Sequence, residues 1–164
     1  MNKLRIWAPF VFSSAVLVTI NLMVKYWAEL YLKGSPPRVL VPGVLGLTYT
    51  ENTGIAFGLL AGSPGAVRVV ISVIIILLLI AVVWFYYRLA GTKQSWWLRA
   101  PLILIFSGGL GNLYDRLIHG AVRDMIEFLF INFAIFNIAD VYVVVGGFVF
   151  LFVSCFVVKD FTFT

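Results

Sequence analysis

Four apolar segments dominate this chain of 164 residues. A helix needs about 20 mostly apolar residues to cross the hydrocarbon core of a bilayer, and each segment is long enough. They run about from Ile6 to Tyr26, from Ala66 to Tyr87, from Trp97 to Tyr114 and from Phe136 to Val158. They predict a mainly α-helical membrane protein with four transmembrane helices, which form a single integral membrane domain over residues 1–164.

The composition agrees with a membrane protein and disfavours two other classes. Hydrophobic residues make up 62% of the chain and charged residues only 12%, whereas soluble domains average about half and a quarter. The net charge is +5, but the basic residues are scattered between apolar runs and form no stripe. A nucleic-acid partner is therefore not expected.

The first apolar segment follows Lys3 and Arg5, as a signal peptide would. Its apolar run is too long for an ordinary signal-peptide core, and Trp-Ala-Glu-Leu follows it instead of a small-residue cleavage site. We expect a retained first helix.

Charge in the loops predicts the orientation. Basic residues divide evenly between the two sides, so counting them decides nothing. Acidic residues are less even, because only Asp160 accompanies the basic residues on the side of the chain termini. Lys3, Arg5, Arg88, Lys93 and Arg99 therefore stand largely uncompensated on that side. The imbalance favours cytoplasmic termini.

The longest polar segment, about residues 29–65, then lies on the extracytoplasmic side. It contains GSPPRVLVPGVLGLTYT, in which prolines and glycines bound short β-branched runs. That pattern predicts a small β-rich unit on the outer membrane surface. No internal repeat is evident, which argues against a transporter built from inverted halves.

Polar residues gather at the outer ends of the apolar segments. An ionisable group inside a membrane segment costs a few kcal/mol and marks a candidate functional site, and Asp140 is such a group. In this topology the others reach the same level: Asn21, Lys25, Asn112, Asp115, Arg116, Asp124 and Asn137. Two carboxylates there, Asp124 and Asp140, indicate acid–base chemistry on a substrate that arrives from the lipid.

Structural roles compete with this hypothesis at two places. Asn137 and Asp140 have the spacing of a helix N-cap and its third-position acid. Asn52-Thr53-Gly54 resembles a turn in which Asn bonds its own backbone and Gly supplies a positive φ.

Three further structural roles are open. Asp115 and Arg116 could form an interfacial charge pair. Gly108, Gly109 and Gly111 favour close helix packing. Lys25 could extend its ammonium group to the membrane interface.

The remaining reactive residues predict neither a metal nor another cofactor. Cys155 is the single cysteine, and we expect it to act as a small apolar packing residue. His119 is the single histidine and has no cluster of metal-ligating residues nearby in the sequence.

Four short motifs, in order, carry a resemblance to a known family. Residues 51–58 contain Asn-x-Gly-x-x-Phe, residues 111–116 Gly-Asn-x-x-Asp-Arg, residues 122–124 Val-x-Asp, and residues 136–140 Phe-Asn-x-Ala-Asp. The set resembles the lipoprotein signal peptidase family, also called signal peptidase II, whose members are bacterial four-helix membrane aspartyl peptidases. The resemblance covers most of the chain.

The resemblance implies roles for individual residues. Asp124 and Asp140 would be the catalytic pair. Asn52 and Arg116 would hold the backbone and lipid-bearing region of the substrate. The supporting polar site would include Gly54, Asn112, Asn137, Lys25 and Asp115.

It also implies a substrate and a location. The substrate would be a prolipoprotein, cut before a Cys that already carries a diacylglyceryl group. The protein would lie in the bacterial cytoplasmic membrane among membrane lipids, as a monomer, with its active site at the extracytoplasmic face.

One departure from the family pattern concerns the first helix. The family usually has Asp-x-x-x-Lys, and this chain has Asn21-Leu-Met-Val-Lys25. Lys25 is then expected to lack a counter-ion at this position. We expect activity to survive, with a changed stability or pH response.

The expected mechanism is that Asp124 and Asp140 share one proton, because two close carboxylates do not readily ionise together. Two alternatives remain open. One is a small transporter or channel that uses Asp124, Asp140 and Lys25. The other is a catalytically silent relative of the family that binds without cleaving.

Overall fold

The computed structural model describes residues 3–54, 65–91 and 95–157. Its four helices are α1 (Lys3–Leu32), α2 (Gly65–Arg88), α3 (Ser95–Ile118) and α4 (Ile138–Phe152). Three strands complete it, β1 (Arg38–Val41), β2 (Leu45–Asn52) and β3 (Val122–Phe128). A 3₁₀ turn, Leu89–Gly91, follows α2, and a π-helical turn, Val153–Val157, continues α4.

Three helices within the described residues are long and apolar enough to cross a membrane. They are Lys3–Leu32, Gly65–Arg88 and Ile138–Val157. Most of their surface is exposed, as it would be against lipid. The chain is therefore an integral membrane protein.

Helix α3 falls outside that set because it carries more polar residues. It packs against α1, α2 and α4, so these residues contact protein. Ser107 and Asp115, for example, are completely buried. A buried helix with polar contacts on several sides needs less hydrophobicity than one that faces lipid.

A buried cation joins three helices at the end opposite to the sheet. The guanidinium carbon of Arg99 lies 4.0 Å from the centre of the Tyr86 ring. Arg99 Nη2 and Tyr86 Oη both donate to the carbonyl oxygen of Ile6, at 2.8 and 3.0 Å. These contacts fix α1, α2 and α3 relative to one another.

Glycines allow the close approaches that the sequence predicted. A Cβ on Gly108 would collide with the carbonyl oxygen of Ala139 on α4, and one on Gly111 with the amide of Asn21 on α1. On Gly109 it would lie 2.9 Å from Leu79 on α2. The C-terminal half of α3 thus lies against the first turn of α4.

The strands form one antiparallel sheet in the order β1-β2-β3. Strand β2 pairs with β3 from Leu45 opposite Phe128 to Asn52 opposite Val122. The predicted β-rich segment therefore contains β1 and β2, whereas the third strand comes from the connection between α3 and α4. Asp124 lies on this strand, where the sequence had predicted only a connecting segment.

The sheet is attached to the C-terminal end of α1, which continues beyond the predicted apolar segment. Ala28 and Leu32 of α1 pack against Met125 of β3 in a small buried cluster. Past β3 the chain turns back, and Ile126 and Phe136 exchange backbone hydrogen bonds. This return places the start of α4 beside Asp124.

Candidate functional site

One cavity receives side chains from five elements or their ends. Its volume is about 660 Å³. The polar residues in its wall are Asn52, Asn112, Arg116, Asp124 and Asp140, and the apolar ones come mainly from α2, α4 and the segment between β3 and α4. The structure thus brings together residues that are far apart in the sequence.

Asp140 lies at the start of α4, where one carboxylate oxygen takes part in the helix cap and the other accepts a hydrogen bond from Asn112. Asn137 caps the helix, since its Oδ1 accepts from Ala139 N at 2.7 Å, while its backbone N–H donates to Asp140 Oδ2 at 2.9 Å. The predicted capping box is confirmed. The other oxygen, Oδ1, accepts from Asn112 Nδ2 at 2.8 Å and faces the cavity wall.

Asp124 is buried on β3 and only 3% exposed. Its Oδ1 accepts from Asn137 Nδ2 at 2.6 Å and its Oδ2 from Asn52 Nδ2 at 3.3 Å. The pKa of the Asp124 carboxyl is raised to about 6, mainly by burial and also by the nearby Asp140 charge, although the Asn137 and Asn52 hydrogen bonds lower it.

Asn137 connects the two carboxylates directly. Its backbone N–H donates a hydrogen bond to Asp140, and its side-chain amide donates one to Asp124. The same amide nitrogen also lies 3.2 Å from Asn112 Oδ1. A single residue therefore fixes both carboxylates relative to the helix start.

Lys25 has a counter-ion on another helix, in place of the one that is missing at position 21. Its Nζ lies 3.0 Å from Asp115 Oδ2, and both side chains are completely buried. Asp115 also accepts from the backbone N–H and the guanidinium of Arg123, at 3.0 and 2.7 Å. The charge pair of Asp115 with Arg116, which the sequence left open, is not formed: Arg116 donates to the carbonyl oxygen of Gly54 instead.

Arg123 extends this ion-pair network to Glu29, at 2.8 Å. The sequence indicates a nearby acid for Arg123, within its own motif, and no role for Glu29. Arg123 immediately precedes Asp124 and could have been noticed there, but nothing in the sequence near Glu29 indicates its partner. Two cations and two carboxylates balance one another in the network.

Asn21 shares the buried face of α1 with Lys25, as the sequence predicted. It is completely buried, and neither of its side-chain polar atoms has a hydrogen-bond partner among the described residues. The amide lies against Gly111. The charge missing at this position is thus replaced by Asp115 from α3.

Arg116 holds the turn that follows β2 and keeps donors for the cavity. Its Nη2 donates to the carbonyl oxygen of Gly54 at 2.6 Å. Its Nε and Nη1 are buried and have no hydrogen-bond partner in the described part of the chain. A guanidinium with unused donors in a cavity is suited to a carbonyl or phosphate-like oxygen.

The turn at Asn52 partly matches its prediction. Gly54 N–H donates to Asn52 Oδ1 at 3.0 Å, which confirms the backbone-bonded turn. Positive φ angles occur at Gly34, Gly43 and Gly120, not at Gly54, so the expected left-handed glycine is wrong. The rest of the motif, residues 55–58, lies outside the described residues.

His119 and Cys155 stand apart from this site. The His119 ring contacts Tyr114, with the two centres 6.2 Å apart. Cys155 is exposed on the surface of the last helical turn, so the expected packing role is wrong. Among the described residues no three His, Cys, Asp or Glu side chains form a group that could hold a metal ion.

Known proteins resemble the chain in sequence and in fold. The family model for signal peptidase (SPase) II matches residues 13–156. Lipoprotein signal peptidases of Streptococcus pyogenes serotypes M5 (strain Manfredo) and M18 (strain MGAS8232) are each 38% identical over 146 residues, which is 89% of this chain and 91% of theirs.

Solved structures agree with this result. A bacterial membrane enzyme determined by the in meso method at 1.9 Å resolution superposes with a TM-score of 0.77 and 25% identity, over 94% of this chain and 95% of that one. A second such structure, at 2.3 Å, gives a TM-score of 0.75 at 24% identity and 94% coverage of both chains, which supports the fold. The chain belongs to the signal peptidase II family, the lipoprotein signal peptidases.

Proposed function

We propose that this chain is an aspartic endopeptidase with Asp124 and Asp140 as its catalytic pair. The supporting observation is that two carboxylates from different elements face one apolar cavity and are joined through Asn137. Family membership implies a protease that acts on prolipoproteins. The arrangement of the site supports the aspartic type.

The proposed reaction uses one proton shared by the two carboxylates. The ionised carboxylate takes a proton from water, whose oxygen attacks the carbonyl carbon of the peptide bond. The protonated carboxyl donates to the carbonyl oxygen, and the C–N bond then breaks as a proton passes to the leaving amine. The apparent pKa values belong to the pair, so the rate should change with pH around 6 rather than remain flat.

Other residues of the site would hold the substrate. Arg116 Nε and Nη1 can donate to a substrate carbonyl oxygen beside the carboxylates. Asn52 contacts Asp124 and forms part of the cavity wall. Gly54, whose carbonyl oxygen accepts from Arg116, fixes the direction of that guanidinium.

The apolar part of the cavity suits a lipid-bearing substrate. It is lined by Leu78, Leu79 and Val82 of α2 and by Val141 and Val144 of α4. Side chains of both helices are exposed where the membrane would be. A signal-peptide helix and the diacylglyceryl chains of the modified Cys can remain in hydrocarbon while the peptide bond reaches the carboxylates.

We also propose that α3 is the fourth transmembrane helix. Aromatic residues favour the membrane–water interface, and α3 has exposed Trp96 and Trp97 near one end and Tyr114 near the other. Exposed Trp84 and Tyr87 lie at the Trp97 end of the bundle. This pattern supports a helix that spans the same thickness as α2.

In this orientation the sheet and the catalytic pair lie at the extracytoplasmic face of the bacterial cytoplasmic membrane. The Lys3 end of α1 and the Val157 end of α4 lie at the cytoplasmic face. One chain provides both carboxylates, so the proposed active form is a monomer surrounded by membrane lipids. Arg38→Cys and Arg88→Cys, each combined with Cys155→Ser, test this, because a membrane-impermeant thiol reagent added outside should label only the Arg38→Cys protein.

The substrate is tested with purified protein and two forms of one prolipoprotein, with and without the diacylglyceryl group on its Cys. Mass spectrometry of the products identifies the bond cut. We expect cleavage immediately before the lipidated Cys and at least about tenfold slower cleavage of the unmodified form, which loses the burial of its acyl chains. Equal cleavage of both forms, or cleavage elsewhere, would contradict the proposed substrate.

A further inference from the structure

Lys25 is held by three acceptors and does not line the cavity. Its ammonium group lies 2.7 Å from Asn112 Oδ1, 3.0 Å from Asp115 Oδ2 and 3.4 Å from the carbonyl oxygen of Gly111. An ammonium group has three donors, and these acceptors use all of them. The side chain is completely buried, so direct contact with substrate is not its role.

The contact with Asn112 decides which way that amide faces. An ammonium group can only donate, so the amide atom beside Lys25 must be the oxygen. The amide nitrogen then faces Asp140 and donates to its Oδ1 at 2.8 Å. Asn137 Nδ2 supports the same orientation through a longer contact with Asn112 Oδ1, at 3.2 Å.

A reversed Asn112 amide would change the surroundings of Asp140. Its oxygen would then face Asp140 Oδ1, and two acceptors would repel each other unless a proton lay between them. The other carboxylate oxygen of Asp140 is held by the backbone N–H of Asn137. The orientation of the Asp140 carboxylate toward the cavity therefore depends on the Asn112 amide.

We propose that Lys25 is a positioning residue for Asp140 and acts through Asn112. The inference rests on the proposed peptidase function. It connects a buried ion pair between α1 and α3 to the reacting carboxylate on α4. Asp115 also holds the ammonium group and pairs with Arg123 as well.

The first test is Lys25→Met, with Lys33→Met as the matched control. Lys33 also forms an ion pair, with Glu51 at 2.6 Å, but both side chains are about half exposed and neither lines the cavity. We expect Lys25→Met to lower kcat about tenfold to a hundredfold, the range that a misplaced catalytic group produces. KM should change by less than about twofold because Lys25 does not touch the substrate. Lys33→Met should retain the wild-type kcat.

A double-mutant cycle with Asn112→Leu tests the route of the effect. If Lys25 acts through Asn112, adding Lys25→Met to Asn112→Leu should lower kcat by less than about twofold further. The same tenfold or larger loss in both backgrounds would show a role independent of Asn112 and overturn the proposal. So would a wild-type kcat in Lys25→Met.

A charge-balanced variant covers the case in which Lys25→Met does not fold. Lys25→Met with Asp115→Asn removes both members of the buried pair, and Arg123 keeps Glu29 as its partner. We expect the same loss of kcat in this variant. Wild-type kcat there would overturn the positioning role, whereas failure of the wild-type protein to cleave any lipidated prolipoprotein would overturn the proposed function itself.

Discussion

At the scale of single residues, Asp124 shows how the fold changes the chemistry of a side chain. The carboxyl is almost completely buried, and burial raises its pKa to about 6. Two amides, from Asn52 and Asn137, still donate to its oxygens. The balance keeps the group able to hold or release a proton near neutral pH, as a general acid or base requires.

The raised pKa predicts how stability depends on pH. Below about pH 4 Asp124 is protonated in both the folded and the unfolded state. As pH rises from about 4 to 6 the unfolded chain ionises first, so the folded state loses about 3 kcal/mol of stability relative to acid. Asp124→Asn has no carboxyl to ionise at this position, so its stability does not fall in this way. Above pH 6 it should be more stable than wild type.

Thermal unfolding in detergent between pH 4 and pH 7 measures this difference. The gap between Asp124→Asn and wild type should widen as pH rises and vanish near pH 4. Glu127→Gln, on the same strand, is the matched control for loss of a carboxylate. A constant gap across the range would show that burial of the charge is not its cause.

Asn21 gives a second prediction at this scale. An unsatisfied buried polar group costs about 1–3 kcal/mol, and an apolar group of the same shape removes that cost. Asn21→Leu should therefore match or exceed the wild-type unfolding temperature, while Asn21→Ala, which leaves a void, should fall below it. An unfolding temperature for Asn21→Leu well below that of Asn21→Ala would show that the amide has a partner after all.

The sequence predicted the members of the site better than their contacts. Asp124, Asp140, Asn112 and Asn137 could be grouped because each lies near the outer end of an apolar segment. The partner of Lys25 could not be identified, because Asp115 is 90 positions away and several acids were at a similar depth. Ion-pair partners are decided by helix rotation, which the weak amphipathicity of membrane helices does not reveal.

At the scale of elements, the main surprise is β3. Its sequence, VRDMIEF, lacks the alternation of polar and apolar residues that indicates a strand. Four consecutive residues, from Val122 to Met125, are buried in the structure. Arg123 and Asp124 can be buried because Arg123 forms an ion pair with Asp115 and Asp124 accepts a hydrogen bond from the Asn137 amide. The pairing of β3 with β2 fixes Asp124 opposite Thr50 and beside the cavity.

The contact between α3 and α4 predicts the effect of two glycine substitutions. Gly108→Ala would push a methyl group into the backbone of Ala139, next to Asp140. Overpacking of this kind costs about 1–3 kcal/mol, and the shift of α4 should lower kcat as well. Gly147 on α4 has no atom within 4 Å of its Cβ position, so Gly147→Ala is the matched control.

Unfolding temperature and cleavage rate report the two effects separately. Gly108→Ala should lose both stability and rate, and Gly147→Ala should lose neither. Equal behaviour of the two variants would mean that α4 can move away from α3 without harm to the site.

At the scale of the whole molecule, the bundle leaves a cavity lined by α2 and α4, two helices that have many exposed apolar side chains. The sequence could predict the helices, because their apolar runs are long, but not this cavity. It exists because α3 lies between α2 and α4, which face each other across the 660 Å³ space. A substrate helix is expected to enter there from the lipid.

Two neighbouring residues of α2 test this entry route. Leu78 and Ile80 are both 60% exposed, but only Leu78 lines the cavity. Leu78→Trp should raise KM for a lipidated substrate about tenfold, equivalent to about 1.4 kcal/mol of lost binding. Ile80→Trp, at an exposed residue that does not line the cavity, should retain the wild-type KM. Equal KM values for the two variants would place the substrate elsewhere.

The central claim is that Asp124 and Asp140 act as one catalytic pair. The most direct test measures single-turnover cleavage of a diacylglyceryl-modified prolipoprotein and compares wild type with Asp124→Asn and Asp140→Asn. Glu127→Gln serves as the control carboxylate on β3. We predict that each Asp→Asn variant folds and binds substrate but cleaves at least about a thousandfold more slowly, as expected when residues act as a unit. Cleavage at the wild-type rate by either variant would contradict the account.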